Sequence, residues 1–170
     1  NISVRWLRMS DQNKNVQNAQ EKHINYVRLL VVNVQDELVA IPVKNVIEVD
    51  IMPEYTKIPN MPKVILGVCN LRGDVVSLID GRMFFGAKES RFTESTRVVF
   101  VTNNKIVTGL IVDGYSEIVD LKEEKIMPIG SESKGLINEV SYGIFSKGSS
   151  IVRVLSLEKF FRTNIILQYQ

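Results

Sequence analysis

Two stretches of this chain are weak copies of two others, in the same order and without gaps, and this repetition constrains the fold more than any single motif. Arg28 to Val49 lies on Arg97 to Ile118, so that Leu29-Leu30-Val31-Val32 meets Val98-Val99-Phe100-Val101 and Glu48 meets Glu117. Gly67 to Phe85 lies in the same way on Gly143 to Phe161, with Val75-Val76 on Ile151-Val152 and Phe84-Phe85 on Phe160-Phe161. The apolar runs are short, rich in β-branched residues and bounded by polar or glycine-containing turns, which marks strands rather than helices. Each copy supplies about five short strands and one short helix, too little for a wide open sheet but enough to close a small antiparallel barrel and remove its exposed edges. The expected fold is mostly β, with two small five-stranded β-barrel subdomains packed together and short helices between strands.

The repeat also divides the chain. Residues 1–25 are rich in Asn, Gln and Lys and bury too little to offset the entropy of ordering them, so they read as a mobile polar arm. Residues 26–161 form a single domain, with subdomain one over 26–86, a patternless linker over 87–95 and subdomain two over 96–161. Residues 162–170 read as a tail or an extension of the last helix. Within subdomain one, the spacing of Val43, Val46 and Ile47 predicts a helical turn over Val43–Val49 before a short strand at Glu48–Ile51. Pro53, Pro59 and Pro62 mark an ordered connecting loop. Arg82–Phe85 reads as a short helix ended by Gly86. Asp74, Asp80 and Asp113 read as turn or strand-end residues, and Lys122-Glu123-Glu124-Lys125 as a solvated turn.

Composition excludes several functions. Lys and Arg outnumber Asp and Glu by only 21 to 19, and they are scattered, which disfavours a nucleic-acid surface. One cysteine, Cys69, forbids an internal disulfide, fits a reducing compartment and, in an apolar strand, reads as a buried small hydrophobe. No apolar run reaches the length of a membrane span, so the expected location is cytoplasmic. His23 has no second metal ligand nearby, the glycines show no phosphate-cradling spacing, and no nucleophile and base pair stands out. No cofactor, no metal and no catalytic residue are expected, and a binding module is the better reading than an enzyme.

One feature is carried by only one copy. Val64 to Leu71 and Val75 to Ile79 flank Arg72-Gly73-Asp74, where Gly73 takes positive φ without a Cβ clash, so the segment reads as a β-hairpin with Arg72 at its tip. In the other copy Lys147-Gly148-Ser149 stands opposite Leu71-Arg72-Gly73. A guanidinium held by rigid strands yet open to solvent suits a carboxylate on another molecule; a solvated turn residue is the plain alternative.

Asn70-Leu71-Arg72-Gly73, followed by an apolar run and Asp80, resembles the signature of the CheW family of chemotaxis coupling proteins. The resemblance covers Tyr26 to Phe161 and includes Gly109-Leu110-Ile111-Val112-Asp113 and the closing Val-Leu-Ser-Leu-Glu segment. It implies SH3-like barrels and a non-enzymatic adaptor between the cytoplasmic tip of methyl-accepting chemoreceptors and the regulatory domain of the histidine kinase CheA, recruited to receptor arrays without entering the membrane. Carried over by position, it implies partner-binding roles for Arg72, Asn70 and Gly73 at the tip. It implies the same for Val46, Gly67, Val98 and Val99 in an apolar groove between barrels, with Glu48 a polar position beside it. The strand alternation requires one of Val98 and Val99 to face inward as ordinary core. The family often has proline where this chain has Ser77 and leucine where it has Gly81. Two alternatives stand beside the adaptor. The chain is a CheW-like domain cut from a larger chemotaxis protein, or it is a small-barrel nucleic-acid binder, which requires exposed aromatics beside a basic groove in a chain only 8% aromatic.

Overall fold

The computed structural model describes residues 25–130 and 134–163. Ten strands dominate it: β1 (Tyr26–Val34), β2 (Glu37–Pro42), β3 (Val46–Asp50), β4 (Ile65–Leu71), β5 (Asp74–Asp80), β6 (Arg97–Thr102), β7 (Val107–Val112), β8 (Gly114–Lys122), β9 (Ser141–Lys147) and β10 (Ser150–Leu155). Three short helices, α1 (Gly81–Phe84), α2 (Leu136–Glu139) and α3 (Leu157–Phe161), lie between or after them. The arm and the tail expected from the sequence lie outside the described residues, apart from Asn25, Arg162 and Thr163.

The strands form two five-stranded sheets, ordered β8-β1-β2-β10-β9 and β3-β6-β7-β5-β4. Replacing each strand by its repeat partner turns one order into the other, so the sequence repeat is a structural pseudo-twofold. Even the register follows it. Ser77 faces Thr108 in the parallel β5–β7 pair, and the repeat equivalents Arg153 and Val39 face each other in the parallel β10–β2 pair.

The sheets do not follow the halves of the sequence, which corrects the division into 26–86 and 96–161. β1 and β2 leave the first copy to pair with β8 and β10, while β6 and β7 leave the second copy to pair with β3 and β5. A repeat says which stretches are equivalent. Whether equivalent strands stay with their own copy or change places depends on long-range pairing that similarity does not encode.

Paired burial on both strand faces explains the unbroken Val runs. Leu30, Val32 and Val34 of β1 join Val99, Val101, Leu110 and Val112 of the other sheet in the core between the sheets. The intervening Leu29 and Val31 join Val152, Val154 and Phe145 in a second core enclosed by their own sheet. Val98, Phe100, Leu78 and Ile111 form the matching core of the other sheet. Asp80 and Ser156, equivalent in the repeat, cap α1 and α3: the Asp80 carboxylate accepts from the Arg82 and Met83 amides, and the Ser156 hydroxyl from the Lys159 amide. The two helices meet through the equivalent rings of Phe84 and Phe160, whose centroids are 4.9 Å apart.

The helical turn expected over Val43–Val49 is a single 3₁₀ turn, Val43–Asn45, because β3 begins at Val46 and pairs with β6. Asp80 likewise does more than end a strand, since it is a buried cap.

Candidate functional site

The β4–β5 hairpin closes on the pair Leu71 and Asp74, leaving Arg72 and Gly73 as a two-residue loop with φ of +55° and +101°. Positive φ at both central positions is the turn whose twist matches that of the strands it joins. Gly73 adopts it freely, whereas for Arg72 it costs on the order of 1 kcal/mol. The Asn70 side-chain oxygen accepts the Gly73 amide at 2.9 Å, which braces the loop. Asn70, Arg72 and Gly73 are therefore brought together and exposed, with the apolar Val75 beside them 76% exposed.

Arg72 is not alone at the tip. Its Nη2 donates to the carboxylate of Glu48 on β3, the strand at the opposite edge of the same sheet. The sheet therefore curls until its edges meet through side chains; among the described residues no backbone ladder joins β3 to β4. The other sheet repeats the arrangement, with Lys147 at the end of β9 2.5 Å from Glu117 on β8. The structure thus has two packed five-stranded sheets, with an ion pair joining the edges of each, and among the described residues no strand ladder closes either into the barrel expected from the sequence.

The remaining expected contacts separate. Val46 is half-buried on β3 opposite Val101. Val98 and Val99 are both fully buried, one in the core of its own sheet and one between the sheets, so neither reaches a surface. Gly67 is also buried, and a Cβ there would stand 2.2 Å from the Thr56 carbonyl oxygen. These three are fold residues, which corrects their placement in a groove. Strand alternation fails for Val98 and Val99 because both faces of β6 are covered.

An exposed apolar groove lies elsewhere. Between β3 and β8, the repeat-related edge strands of the two sheets, a cleft of about 360 Å³ is lined by Leu30, Val49, Ile51, Tyr115 and Ile118, with Asp50, Arg97 and Glu117 at its rim. Ile51, Tyr115 and Ile118 are 65%, 57% and 59% exposed, an unusual concentration of large apolar surface on two neighbouring edges. The repeat lays Val49 on Ile118, but equivalence does not say which edges lie side by side, since β4 and β9 are equivalent edge strands too.

Under the hairpin, Arg82 is a second feature the sequence reading passed over. It is 2% exposed and forks onto Asp80 with bonds of 2.9 Å, while its Nη1 reaches the Arg91 carbonyl at 2.7 Å and Asp113 at 3.2 Å. Burial alone would raise the Asp80 carboxyl, but hydrogen bonds from Arg82 and Ser90 hold it below its ordinary value. Asp113 in turn accepts the Gln35 amide, so one guanidinium ties the 87–95 segment and the β1–β2 turn to the end of β5.

A family model of the CheW-like domain matches residues 28–164. The chain belongs to the CheW-like domain family. It is 34% identical to a chemotaxis protein CheW of Helicobacter pylori over 75% of this chain and 76% of that one. It is 31% identical to the CheW of Klebsiella aerogenes over 76% and 78% of the two chains. The crystal structure of the scaffolding protein TtCheW from Thermoanaerobacter tengcongensis superposes with a TM-score of 0.75 at 26% identity, covering 82% of this chain and 95% of that one. Membership makes this CheW-like chain a chemotaxis coupling adaptor, and the mostly β, two-sheet architecture is that of the scaffold. The Ser77 hydroxyl lies 3.0 Å from the Thr108 hydroxyl across the parallel β5–β7 pair. Among the described residues, no helix is long and apolar enough to cross a membrane.

Proposed function

We propose that the chain is a non-enzymatic scaffold that couples methyl-accepting chemoreceptors to the regulatory domain of CheA, recruited from the cytoplasm to membrane-associated arrays. The cleft between β3 and β8 supports this best: it is an open apolar trough with charged rims, the shape that takes the apolar face of a receptor helix. Ile51, Tyr115 and Ile118 supply the apolar contact, and Val46 and Glu48 flank it along β3. The Arg72 loop, with Asn70 and Gly73 holding its shape, offers the guanidinium to a kinase carboxylate. Glu48 engages one of the five donors of Arg72 and leaves the others available. Modest contacts suffice, because multivalent links in an array reinforce one another.

The test is reconstitution of this chain with a receptor signalling fragment and CheA. Ile118→Asp is expected to abolish receptor co-sedimentation while preserving the fold, since the side chain is exposed. Undiminished receptor binding by that variant refutes the assignment of the cleft.

A further inference from the structure

The cleft between β3 and β8 is built from repeat-equivalent strands, yet its two walls do not carry equivalent chemistry. Glu48 and Glu117 are equivalents, and each has a cation, Arg72 for one and Lys147 for the other. The match ends there. Continued by two residues, the repeat lays Val119 on Asp50 and Asp120 on Ile51. Asp120 is taken by Arg28 through a fork of 2.8 and 2.9 Å, whereas the exposed Asp50 carboxylate accepts the Ile51 amide at 2.7 Å. Arg97, the cation that lines the cleft, donates its Nη1 to the Glu94 and Thr96 carbonyls, and among the described residues no cation pairs with Asp50.

We infer that Asp50 is a specificity-determining residue: it selects a receptor helix that brings a Lys or Arg to the Ile51 side of the cleft, and so fixes the direction in which that helix lies. The inference rests on the receptor reading of the cleft. A helix seated on Ile51 and Tyr115 takes water from the neighbouring carboxylate, and that loss is penalised unless a cation replaces the water. Charge complementarity therefore decides what the helix must carry. It also decides orientation, because the two edges of the cleft are related by the pseudo-twofold and offer a helix two similar seats of opposite direction. In one seat its cation meets Asp50; in the other it meets the apolar equivalent, Val119.

The test is an amide-shift titration of the full chain with acetylated amphipathic helical peptides of Leu and Gln that carry a single Lys, Gln or Glu in the last turn. The Lys peptide is expected to bind tightest, shifting Asp50, Ile51 and Tyr115, and to lose about threefold or more in affinity on Asp50→Asn. Asp50→Lys is expected to reverse the order, so that the Glu peptide binds best. A nitroxide beside the Lys is expected to broaden the Asp50 and Ile51 amides and one on the first turn to spare them, a difference that Asp50→Val removes. Peptides that bind alike, an order that Asp50→Lys does not reverse, or labels that broaden alike overturn the inference and leave the receptor reading standing. Cleft amides that no peptide moves overturn both. Cleft amides that shift on joint Arg5→Glu and Arg8→Glu substitution with no peptide present give the carboxylate to the chain's own residues, which also overturns the inference.

Discussion

Arg72 and Glu48 lie on opposite edges of one five-stranded sheet and are joined by an ion pair, and Lys147 and Glu117 make the same junction in the other sheet. The two glutamates are repeat equivalents, whereas the cations sit one position apart in their hairpins. The edge-joining role is thus duplicated, and what remains peculiar to Arg72 is a planar fork that is 72% exposed.

For that reason Arg72→Ala is expected to lower stability by at most about 1 kcal/mol, the worth of an exposed pair, while reducing CheA activation in the reconstituted complex. Thermal unfolding and a kinase assay on the same sample separate the two effects. Normal activation by the variant shows that the guanidinium only ties the sheet edges together.

The loop geometry gives a second expectation. Gly73→Ala places a Cβ at φ of +101° with nothing nearby to clash, so only backbone strain is added, costing about 1 kcal/mol. Urea unfolding measures it directly, and a neutral result contradicts the assigned turn.

Gly67→Ala is expected to be far worse, because its Cβ meets the Thr56 backbone, which pairs with Val68 by two bonds of 2.8 and 2.9 Å. A loss above about 2 kcal/mol is expected, together with altered amide shifts through the 52–64 loop. The equivalent Gly143, packed as closely against Ile126 and Met127, predicts a parallel loss for Gly143→Ala. Wild-type stability in both variants means the close approach is not real.

Arg82→Ala leaves Asp80 buried without its guanidinium and is expected to cost about 3–5 kcal/mol. Acid should reveal the same pair. The Asp80 carboxyl titrates below its ordinary value in the folded chain, so its contribution is complete above the ordinary carboxylate range and fades as pH falls through the folded value. The stability gap between wild type and Asp80→Asn is therefore expected to shrink on acidification. A gap that widens in acid contradicts the sign.

Local physics was legible in the chain itself. Short Val-rich runs specified strands, Arg72-Gly73-Asp74 specified a hairpin turn, and the ungapped repeat specified that whatever one copy builds, the other builds again. Phe84 on Phe160 and Asp80 on Ser156 were readable as equivalents before either pair was seen as a ring contact and two helix caps. What tertiary structure alone decided is which partner each strand takes. The exchange of β1-β2 with β6-β7 covers both faces of β6, which buries Val98 and Val99 together and moves the apolar surface to Ile51, Tyr115 and Ile118. Pairing between distant strands depends on the closure of long loops and on burial summed over the whole sheet, quantities carried by no window of sequence.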